Sequence, residues 1–442
     1  MNKYEYYKKV FPKLKNLFEH FHYFVGAGKE LIDIGWNPNN ILVAVEPVDK
    51  LYRLSCELGL QVHIPVVGIN SEYILAPIDF EISLTGENYK LYENKDSQNF
   101  YFLKMVTPLL NYLQKLFLDF RIPYLMDLTP SGGHILFLVK RGTKSWDAFK
   151  NIGFLEPDML NAYKYREDKD IKRRYGVGED AGLVFSGIGR LAEYIGIRAK
   201  KFFGNNIEYP ISFCDSSPQS LNFDISWAAD AAYMRSIRTP YSLHKKNIEK
   251  YYMKQDTLVD IIHSEYDGNN LNKNLANISL QQMLDCMWNL DLAAQYYDRT
   301  TGIIPVMNDS IIQLINEYKN SDLYKFHYNF DYEKTLPYGD AVNNLINNPK
   351  ISQRVKNMLN YPEPSMLQPM QLKPFIEEIV FDLGYSSKFA GCVIRDYYQN
   401  CKYHWYGIDW YKYPSEPRAF FWARLYSDVS AFERNKLQIN HF

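Results

Sequence analysis

Two acidic residues in the segment PIDFEIS have the types and spacing of metal ligands. Asp79 and Glu81 alternate with Phe80 inside a pattern that is typical of a β-strand. Residues i and i+2 of a strand point to the same face, so the two carboxylates should share one face. Carboxylates held that close repel each other unless a cation or water neutralises them. The segment therefore predicts either a site for a hard divalent cation or a pair of solvated edge carboxylates.

A second candidate site lies in the segment DLTPSGGHILFLV, residues 127–139. Adjacent glycines let a backbone approach a ligand closely, and Ser131 and His134 offer a hydroxyl and an imidazole to an anion. We expect this Ser-Gly-Gly-His turn to connect two strands and to bind phosphate groups. The alternative is a plain hairpin turn whose histidine is satisfied within the protein.

Further residues whose types suit metal or anion binding follow along the chain. Asp224 comes after an apolar stretch, and the segment IRTPYSLHKK contains Arg238, Ser242, His244 and Lys245. Cationic and hydroxyl side chains can bind an anion, because they offer it both charge and hydrogen bonds.

Hydrophobic periodicity indicates the elements that must position these residues. Apolar positions at helical spacing predict an amphipathic supporting helix over residues 3–24, and helical patterns recur at 50–60 and 99–120. Short β-branched runs predict strands in the segments NILVAVEPV, QVHIPVVGI, YILAPIDFEISL, RIPYLMDL and HILFLVKRG. Beyond residue 279 the pattern is helical with breaks at proline. The fold class that these elements predict is α+β.

The chain has 442 residues, and a single core rarely exceeds about 300, so we expect at least two domains. The Asn-rich segment HSEYDGNNLNKNLANISL has the composition of a linker. The predicted division is a helical segment at 1–35, an α+β catalytic core at 36–255, a linker at 256–278 and a helical domain at 279–442.

Composition and charge restrict the functional classes. The net charge of −1 provides no global basic field, so binding of nucleic acid would need a local basic face. Lys172, Arg173 and Arg174 could form one, or could simply be a solvated helix face. The chain has no phosphate-binding GxxxxGK[ST] loop, no secretory leader pattern and no apolar run of about 18 residues. We expect a soluble protein of the cytoplasm that does not bind membranes.

Taken in order, the candidate residues resemble the three motifs of the archaeo-eukaryotic primase superfamily, which contains the catalytic subunits of DNA primases and the primase-polymerases. Asp79-Phe80-Glu81 resembles the acidic pair of the first motif. Ser131 and His134 resemble the phosphate-binding Ser-x-His of the second motif, with one more residue between them.

The third motif, an apolar residue followed by Asp, is matched by Asp224, and RTPYSLH resembles the Arg-x-Pro-x-Ser-x-His pattern of primase small subunits. About two extra residues separate Asp224 from Pro240 relative to that pattern, so Asp230 and Asp215 are alternatives for this carboxylate. The resemblance covers roughly residues 36–255.

The resemblance implies a primase-type core with a mixed or antiparallel sheet, an RRM-like palm, followed by a mainly α-helical C-terminal domain. It implies a DNA primase-polymerase, a nucleotidyltransferase that makes or extends primers on single-stranded DNA from nucleoside triphosphates. Two divalent ions, Mg²⁺ or Mn²⁺, would be held by Asp79, Glu81 and Asp224. The residues implied in nucleotide binding are Ser131, His134, Arg238, Ser242, His244 and Lys245.

The alternatives are a catalytically silent nucleic-acid-binding relative and a metal-dependent nuclease. The RTPYSLH segment argues against a nuclease, because hydrolysis of a phosphodiester needs no site for a triphosphate. Protein partners could come from replication, repair or CRISPR-linked systems.

The C-terminal part contains two further groups of residues. Helical domains of primases can carry an iron–sulfur cluster, but none is expected here, because four thiolates are normally needed and the cysteines there are widely spaced: Cys286, Cys392 and Cys401. The aromatic and cationic group near the C-terminus predicts either a stacking surface for single-stranded DNA or a helical core: Trp405, Trp410, Trp422, Arg418 and Arg424.

Overall fold

The structure is a computed structural model. It describes residues 1–28, 43–68, 72–82, 95–156, 177–204, 210–214, 220–231, 235–244, 258–362, 369–400, 404–405, 408–409 and 416–435. Within these ranges the fold is a mixture of helices and antiparallel or mixed sheets, which confirms the predicted α+β class.

The strands are β1 (Tyr23–Ala27), β2 (Val43–Pro47), β3 (Gln61–Pro65), β4 (Tyr73–Ile82), β5 (Tyr124–Thr129), β6 (Gly132–Lys140), β7 (Ile211–Phe213), β8 (Leu221–Asp224), β9 (Ser236–Arg238), β10 (Ile261–Tyr266), β11 (His404–Trp405) and β12 (Ile408–Asp409). Six strands form the main sheet in the order β10-β5-β6-β4-β8-β7. Neighbouring strands in this sheet pair antiparallel, except β7 and β8, which are parallel. A smaller sheet has the order β2-β1-β3-β9.

The α-helices are α1 (Lys3–Asn16), α2 (Lys95–Tyr101), α3 (Thr107–Asp119), α4 (Lys144–Lys150), α5 (Glu179–Phe203), α6 (Leu280–Met287), α7 (Leu290–Tyr296), α8 (Ile311–Lys319), α9 (Asp322–Tyr332), α10 (Asp340–Ile346), α11 (Gln353–Asn360), α12 (Pro369–Glu377), α13 (Ser387–Asn400) and α14 (Glu416–Glu433). Short π-helical turns cover Arg53–Glu57, Phe102–Val106 and Glu378–Asp382. Single 3₁₀ turns cover Val48–Lys50, Ser226–Ala229 and Tyr297–Arg299. None of the helices in these ranges has the length and apolar character that a membrane crossing needs.

Helix α1 is the supporting element that its periodicity predicts, although it ends at Asn16 rather than near residue 24. Asn2 caps it, because the Asn2 side chain accepts from the backbone N–H groups of Tyr4 and Glu5. The buried Tyr7 hydroxyl donates to the carbonyl of Leu60 and accepts the N–H of Leu243. The helix therefore holds in place the segment that contains Ser242 and His244.

The predicted linker at 256–278 contains strand β10, which forms one edge of the six-stranded sheet by pairing with β5. The Asn-rich composition marks the loop after this strand. Residues 305–307 pair with β6, through hydrogen bonds on both sides of Leu138. Among the described residues one continuous hydrophobic core includes both the sheets and the C-terminal helices. The helical part thus packs directly onto the predicted catalytic core.

Candidate active site

Strand β4 presents two carboxylates on one face, as its alternation predicts. Asp79 and Glu81 are partly exposed, whereas Ile78, Phe80 and Ile82 are buried. The opposite face of the strand therefore belongs to the core. This burial pattern fixes the register of β4, because a slip by one residue would bury both charges.

The register of the sheet places a row of ionisable side chains across four strands. In the antiparallel pairs, Asp79 of β4 is opposite both Asp224 of β8 and His134 of β6. His134 is in turn opposite Asp127 of β5. Directly opposed residues share a face, with Cβ atoms about 4.5–5.5 Å apart. The order across the sheet is Asp127, His134, Asp79, Asp224.

The register also favours Asp224 over its two alternatives for the third carboxylate. Asp230 is buried and lies beyond the end of β8, and Asp215 is outside the described residues. Asp224 accepts the backbone N–H of Ser226 at 2.8 Å and lies 3.7 Å from the thiol of Cys214. Burial, together with the nearby Asp224 charge, raises the pKa of Cys214 well above its ordinary value. The thiol is therefore neutral beside the carboxylate.

The Ser-Gly-Gly-His segment connects two strands, as predicted, but its glycines have a different role. A Cβ atom on Gly132 would lie 1.8 Å from the carbonyl oxygen of Phe80, and one on Gly133 would lie 2.5 Å from that of Asp127. The glycines are required because β6 approaches the backbones of β4 and β5 closely. Strand packing thus explains why both positions are glycine, and no ligand is needed to explain it.

We expect Gly132→Ala to lower the free energy of unfolding by more than about 2 kcal/mol, because the methyl group overlaps a backbone atom that cannot rotate away. Denaturation in urea measures this change. Gly142→Ala is the control for the loss of backbone freedom, since no atom lies within 4 Å of a Cβ there. Gly142 has φ of +78°, so its alanine variant keeps a conformational cost but adds no clash. A Gly132 variant no less stable than the Gly142 variant would contradict the packing explanation.

His134 lies between two carboxylates and carries a positive charge at neutral pH. Its Nδ1 is 2.9 Å from Oδ1 of Asp127 and its Nε2 is 3.7 Å from Oδ1 of Asp79. Burial opposes the charged form, but the charges of Asp127 and Asp79 outweigh it and raise the pKa of His134 to about 9. The imidazolium is 9% exposed beside Asp79. It provides a fixed positive charge next to the acidic row.

A second cationic group lies at the end of the small sheet. Nη1 of Arg238 is 2.5 Å from Nδ1 of His244, and Nε of Arg238 donates to the side chain of Gln61. Nδ1 of His244 lies 3.1 Å from the Asp260 carboxylate, and the Arg238 guanidinium lies 3.8 Å from it. Burial raises the pKa of Asp260 to about 7 against the lowering effect of the Arg238 charge, while the charges of Asp127 and His134 also act on it. The electrostatic coupling connects this group to the row on the main sheet.

Not every candidate of the IRTPYSLHKK segment reaches a surface. Ser242 is fully buried; its hydroxyl accepts the N–H of Val62 and donates to the carbonyl of Leu243. The hydroxyl thus joins this segment to β3, and its role is structural. Arg238 and His244 keep 10% and 5% of their side chains exposed. Lys245 lies outside the described residues, as do Lys172, Arg173 and Arg174.

Sequence reasoning missed two residues of this site, Asp127 and Asp260. Both are completely buried. Asp127 stands in the strand directly before the turn, and Asp260 follows the apolar pair Leu258-Val259 directly before β10. A charged residue inside an apolar strand pattern is the signal that could have identified both.

The described aromatic and cationic residues near the C-terminus belong to the core. Trp422 is 2% exposed and stacks on Tyr426, and Arg418 and Arg424 are also buried. This confirms the helical-core alternative for these residues. Trp410 and Cys401 lie outside the described residues, and the side chain of Trp405 is not described either. Cys286 and Cys392 are buried, and burial raises the pKa of each thiol.

A separate buried cluster joins α5, α9 and α14, and it could hold a metal ion. The ligating atoms of Glu193, His327 and Asp428 all lie within 4.8 Å of one another, and it is the only such trio found among the described residues. Nε2 of His327 is 2.8 Å from Asp428 and 3.4 Å from Glu193, while the Tyr318 hydroxyl bonds to its Nδ1.

Neighbouring side chains already compensate part of the negative charge of this cluster. Arg424 already donates to Glu193 at 3.2 Å. Burial, aided by the Glu193 charge, raises the pKa of Asp428 well above its ordinary value. A protonated Asp428 neutralises one carboxylate, and the adjacent arginine disfavours a further positive charge. The cluster therefore serves as a hydrogen-bonded junction between helices.

Comparison with known proteins found no match to a family model, to a curated protein or to a solved structure.

Proposed function

We propose that this protein is a DNA primase-polymerase, a nucleotidyltransferase that synthesises or extends primers on a single-stranded DNA template. The observation that carries the proposal is the register of the main sheet, which puts the residues of three separate motifs in one row. Asp79, His134 and Asp224 lie far apart in the sequence, yet each is directly opposite a neighbour in the row. This is the convergence that the motif resemblance requires.

The three acidic residues fit a site for two hard divalent ions. Asp79 and Glu81 share a partly exposed face of β4, and Asp224 is opposite Asp79. Carboxylate oxygens are the ligands that Mg²⁺ and Mn²⁺ prefer. Two such ions would lower the pKa of the attacking 3′-hydroxyl and stabilise the negative charge that develops on the leaving oxygens. These carboxylates repel one another, so their closeness supports a site in which cations neutralise them.

The protein's own side chains would bind and orient the triphosphate. His134 presents a positive charge beside the acidic row, and Arg238 with His244 presents a second one. Ser131 lies at the turn before β6 and is 4% exposed, and the motif resemblance assigns its hydroxyl to the phosphates. Preorganised cations of this kind stabilise charge on a phosphate without reorganisation during the reaction. Ser242 contributes by holding the segment of Arg238 and His244 against β3.

The test is incorporation of labelled nucleotides on single-stranded DNA, with and without a primer, in Mg²⁺ and in Mn²⁺. Wild type is compared with an Asp79→Ala/Glu81→Ala double variant. Products from wild type alone support the proposal, and unprimed products would add initiation. Intact DNA binding without any product would instead indicate a silent binding protein. Template degradation that depends on the acidic pair would indicate a nuclease.

We expect His134→Ala to raise the KM for nucleotide by about 10- to 100-fold, with a smaller change in kcat, because a phosphate contact is lost in ground and transition states alike. Steady-state kinetics at varied nucleotide concentration measure the change. His134→Gln keeps a donor of similar size but removes the charge, so it separates charge from hydrogen bonding. An unchanged KM in both variants would return His134 to the role of a satisfied turn residue.

A further inference from the structure

Two completely buried carboxylates lie behind the cationic side chains of the candidate site. Asp127 and Asp260 are both 0% exposed, whereas Asp79, Glu81 and Asp224 are partly exposed. Burying a charge is costly unless it is paired and hydrogen-bonded. The position of each buried carboxylate therefore has to be explained by its partners.

Asp127 contacts both the backbone and the ring of one residue. Its Oδ1 accepts the backbone N–H of His134 at 2.9 Å and lies 2.9 Å from Nδ1 of the same histidine. The two contacts fix the ring from the side opposite Asp79, which lies near Nε2. The carboxylate thus sets which nitrogen of His134 faces the acidic row.

Asp260 has the same relation to the second cationic group. Its carboxylate lies 3.1 Å from Nδ1 of His244 and 3.8 Å from Nη1 of Arg238. Its backbone is held by the same segment, because Asp260 donates to the carbonyl of Ser242 and accepts the N–H of Tyr241. The Tyr297 hydroxyl donates to the Asp260 carbonyl. The carboxylate is therefore fixed before any ligand arrives.

The two carboxylates also lie within electrostatic reach of each other. The charge of Asp127 acts on Asp260, and His134 opposes it. One buried layer of two carboxylates thus lies behind the three side chains that they contact, His134, Arg238 and His244. Such support fixes ring orientation and limits the rotamers of the side chains that contact a ligand.

We propose that Asp127 and Asp260 are positioning residues that orient His134 and the Arg238–His244 pair toward the triphosphate of the incoming nucleotide. This inference rests on the proposed function, because it takes the triphosphate as the ligand. Neither carboxylate contacts the substrate itself. Each acts through the cationic side chain that it holds.

The test compares Asp127→Asn and Asp260→Asn with a matched control, Glu265→Gln. Glu265 is also buried in β10, but it binds the backbone of Thr301 and Gly302 instead of a cationic side chain. Binding of dATP in the presence of Ca²⁺ is measured by titration calorimetry, and KM and kcat are measured in Mg²⁺. We expect each Asp→Asn variant to bind dATP about 10-fold more weakly and to show a matching rise in KM. The control should bind as wild type does.

A second measurement excludes a merely structural role. In an Arg238→Ala/His244→Ala background, the further change Asp260→Asn should have no additional effect on the affinity for dATP, since the residues it positions are gone. If Asp260→Asn lowers the affinity for dATP in this background as much as it does in wild type, the inference for Asp260 is overturned. Unchanged affinity for dATP in the Asp260→Asn single variant would also overturn it. Unchanged affinity in Asp127→Asn would overturn it for Asp127. Thermal unfolding of each variant verifies that the fold is retained.

The outcomes also separate this inference from the proposed function. If wild type binds dATP but incorporates nothing, and the Asp→Asn variants bind it more weakly, the polymerase proposal fails and the positioning roles stand. If wild type incorporates nucleotide and the Asp→Asn variants bind dATP and incorporate nucleotide as wild type does, the polymerase proposal stands and the positioning roles fail. If wild type does not bind dATP at all, both are overturned.

Discussion

We expect the Asp79→Asn variant to incorporate nucleotides at least about 1,000-fold more slowly than wild type, because a loss of about 4 kcal/mol of transition-state stabilisation corresponds to that factor. Asparagine preserves the size of the side chain but removes the charge that a divalent ion needs. Asp224→Asn should have a similar effect, since Asp224 lies directly opposite Asp79. Single-turnover incorporation at saturating nucleotide measures the rate of the chemical step.

Asp119→Asn is the matched control for this prediction. Asp119 is an exposed carboxylate at the end of α3, where it pairs with Lys115 at 2.8 Å. The Asp119→Asn variant should incorporate nucleotide at the wild-type rate. The Asp79→Asn and Asp224→Asn variants should bind single-stranded DNA nearly as wild type does. Incorporation within 10-fold of wild type by Asp79→Asn would remove this residue from the catalytic site.

Local patterns were sufficient to predict three of the strands that carry the site, β4, β5 and β6. Alternation in PIDFEIS placed Asp79 and Glu81 on one face, and the turn signal of Pro130 and the glycines placed His134 at the start of the next strand. These features depend on neighbours in the sequence. The register that sets Asp79 opposite Asp224 depends on pairing between distant segments, which no local pattern specifies.

The two buried aspartates show why part of the site was missed. Asp127 and Asp260 lie inside apolar strand patterns, where a single charge is easily assigned to a strand end or a turn. Their partners come from other elements: β6 for Asp127, and the segment around β9 for Asp260. The same holds for Ser242, whose buried hydroxyl bonds to β3. Only the fold shows that it faces the core rather than a ligand.

The junction between the sheets and the C-terminal helices was also beyond local patterns. Charged residues at helical spacing in α5, such as Arg190 and Glu193, resemble a solvated face. In the structure both are buried, and their partners lie more than a hundred positions away. Arg190 forms two hydrogen bonds of 2.7 Å with Asp331 of α9. The linker-like composition after β10 gives no indication of this contact.

We expect Asp331→Ala to lower the free energy of unfolding by about 3–5 kcal/mol, because it leaves the buried guanidinium of Arg190 without its counter-charge. Arg190 is 3% exposed, so water cannot replace the lost carboxylate. Removing both partners should cost much less, since two apolar side chains of similar volume leave no unpaired charge. Urea denaturation of Asp331→Ala measures this loss, and Asp331→Leu, Arg190→Met and the Arg190→Met/Asp331→Leu double variant form the cycle that measures the interaction.

Asp322→Ala provides the control within the same helix. Asp322 is exposed at the start of α9 and pairs with Lys325, an arrangement worth about 1 kcal/mol or less. A large loss in Asp331→Ala, a small loss in Asp322→Ala and recovery in the double variant would show that the buried pair couples α9 to α5. If Asp331→Ala were as mild as the control, the guanidinium would have to reach water when its partner is removed.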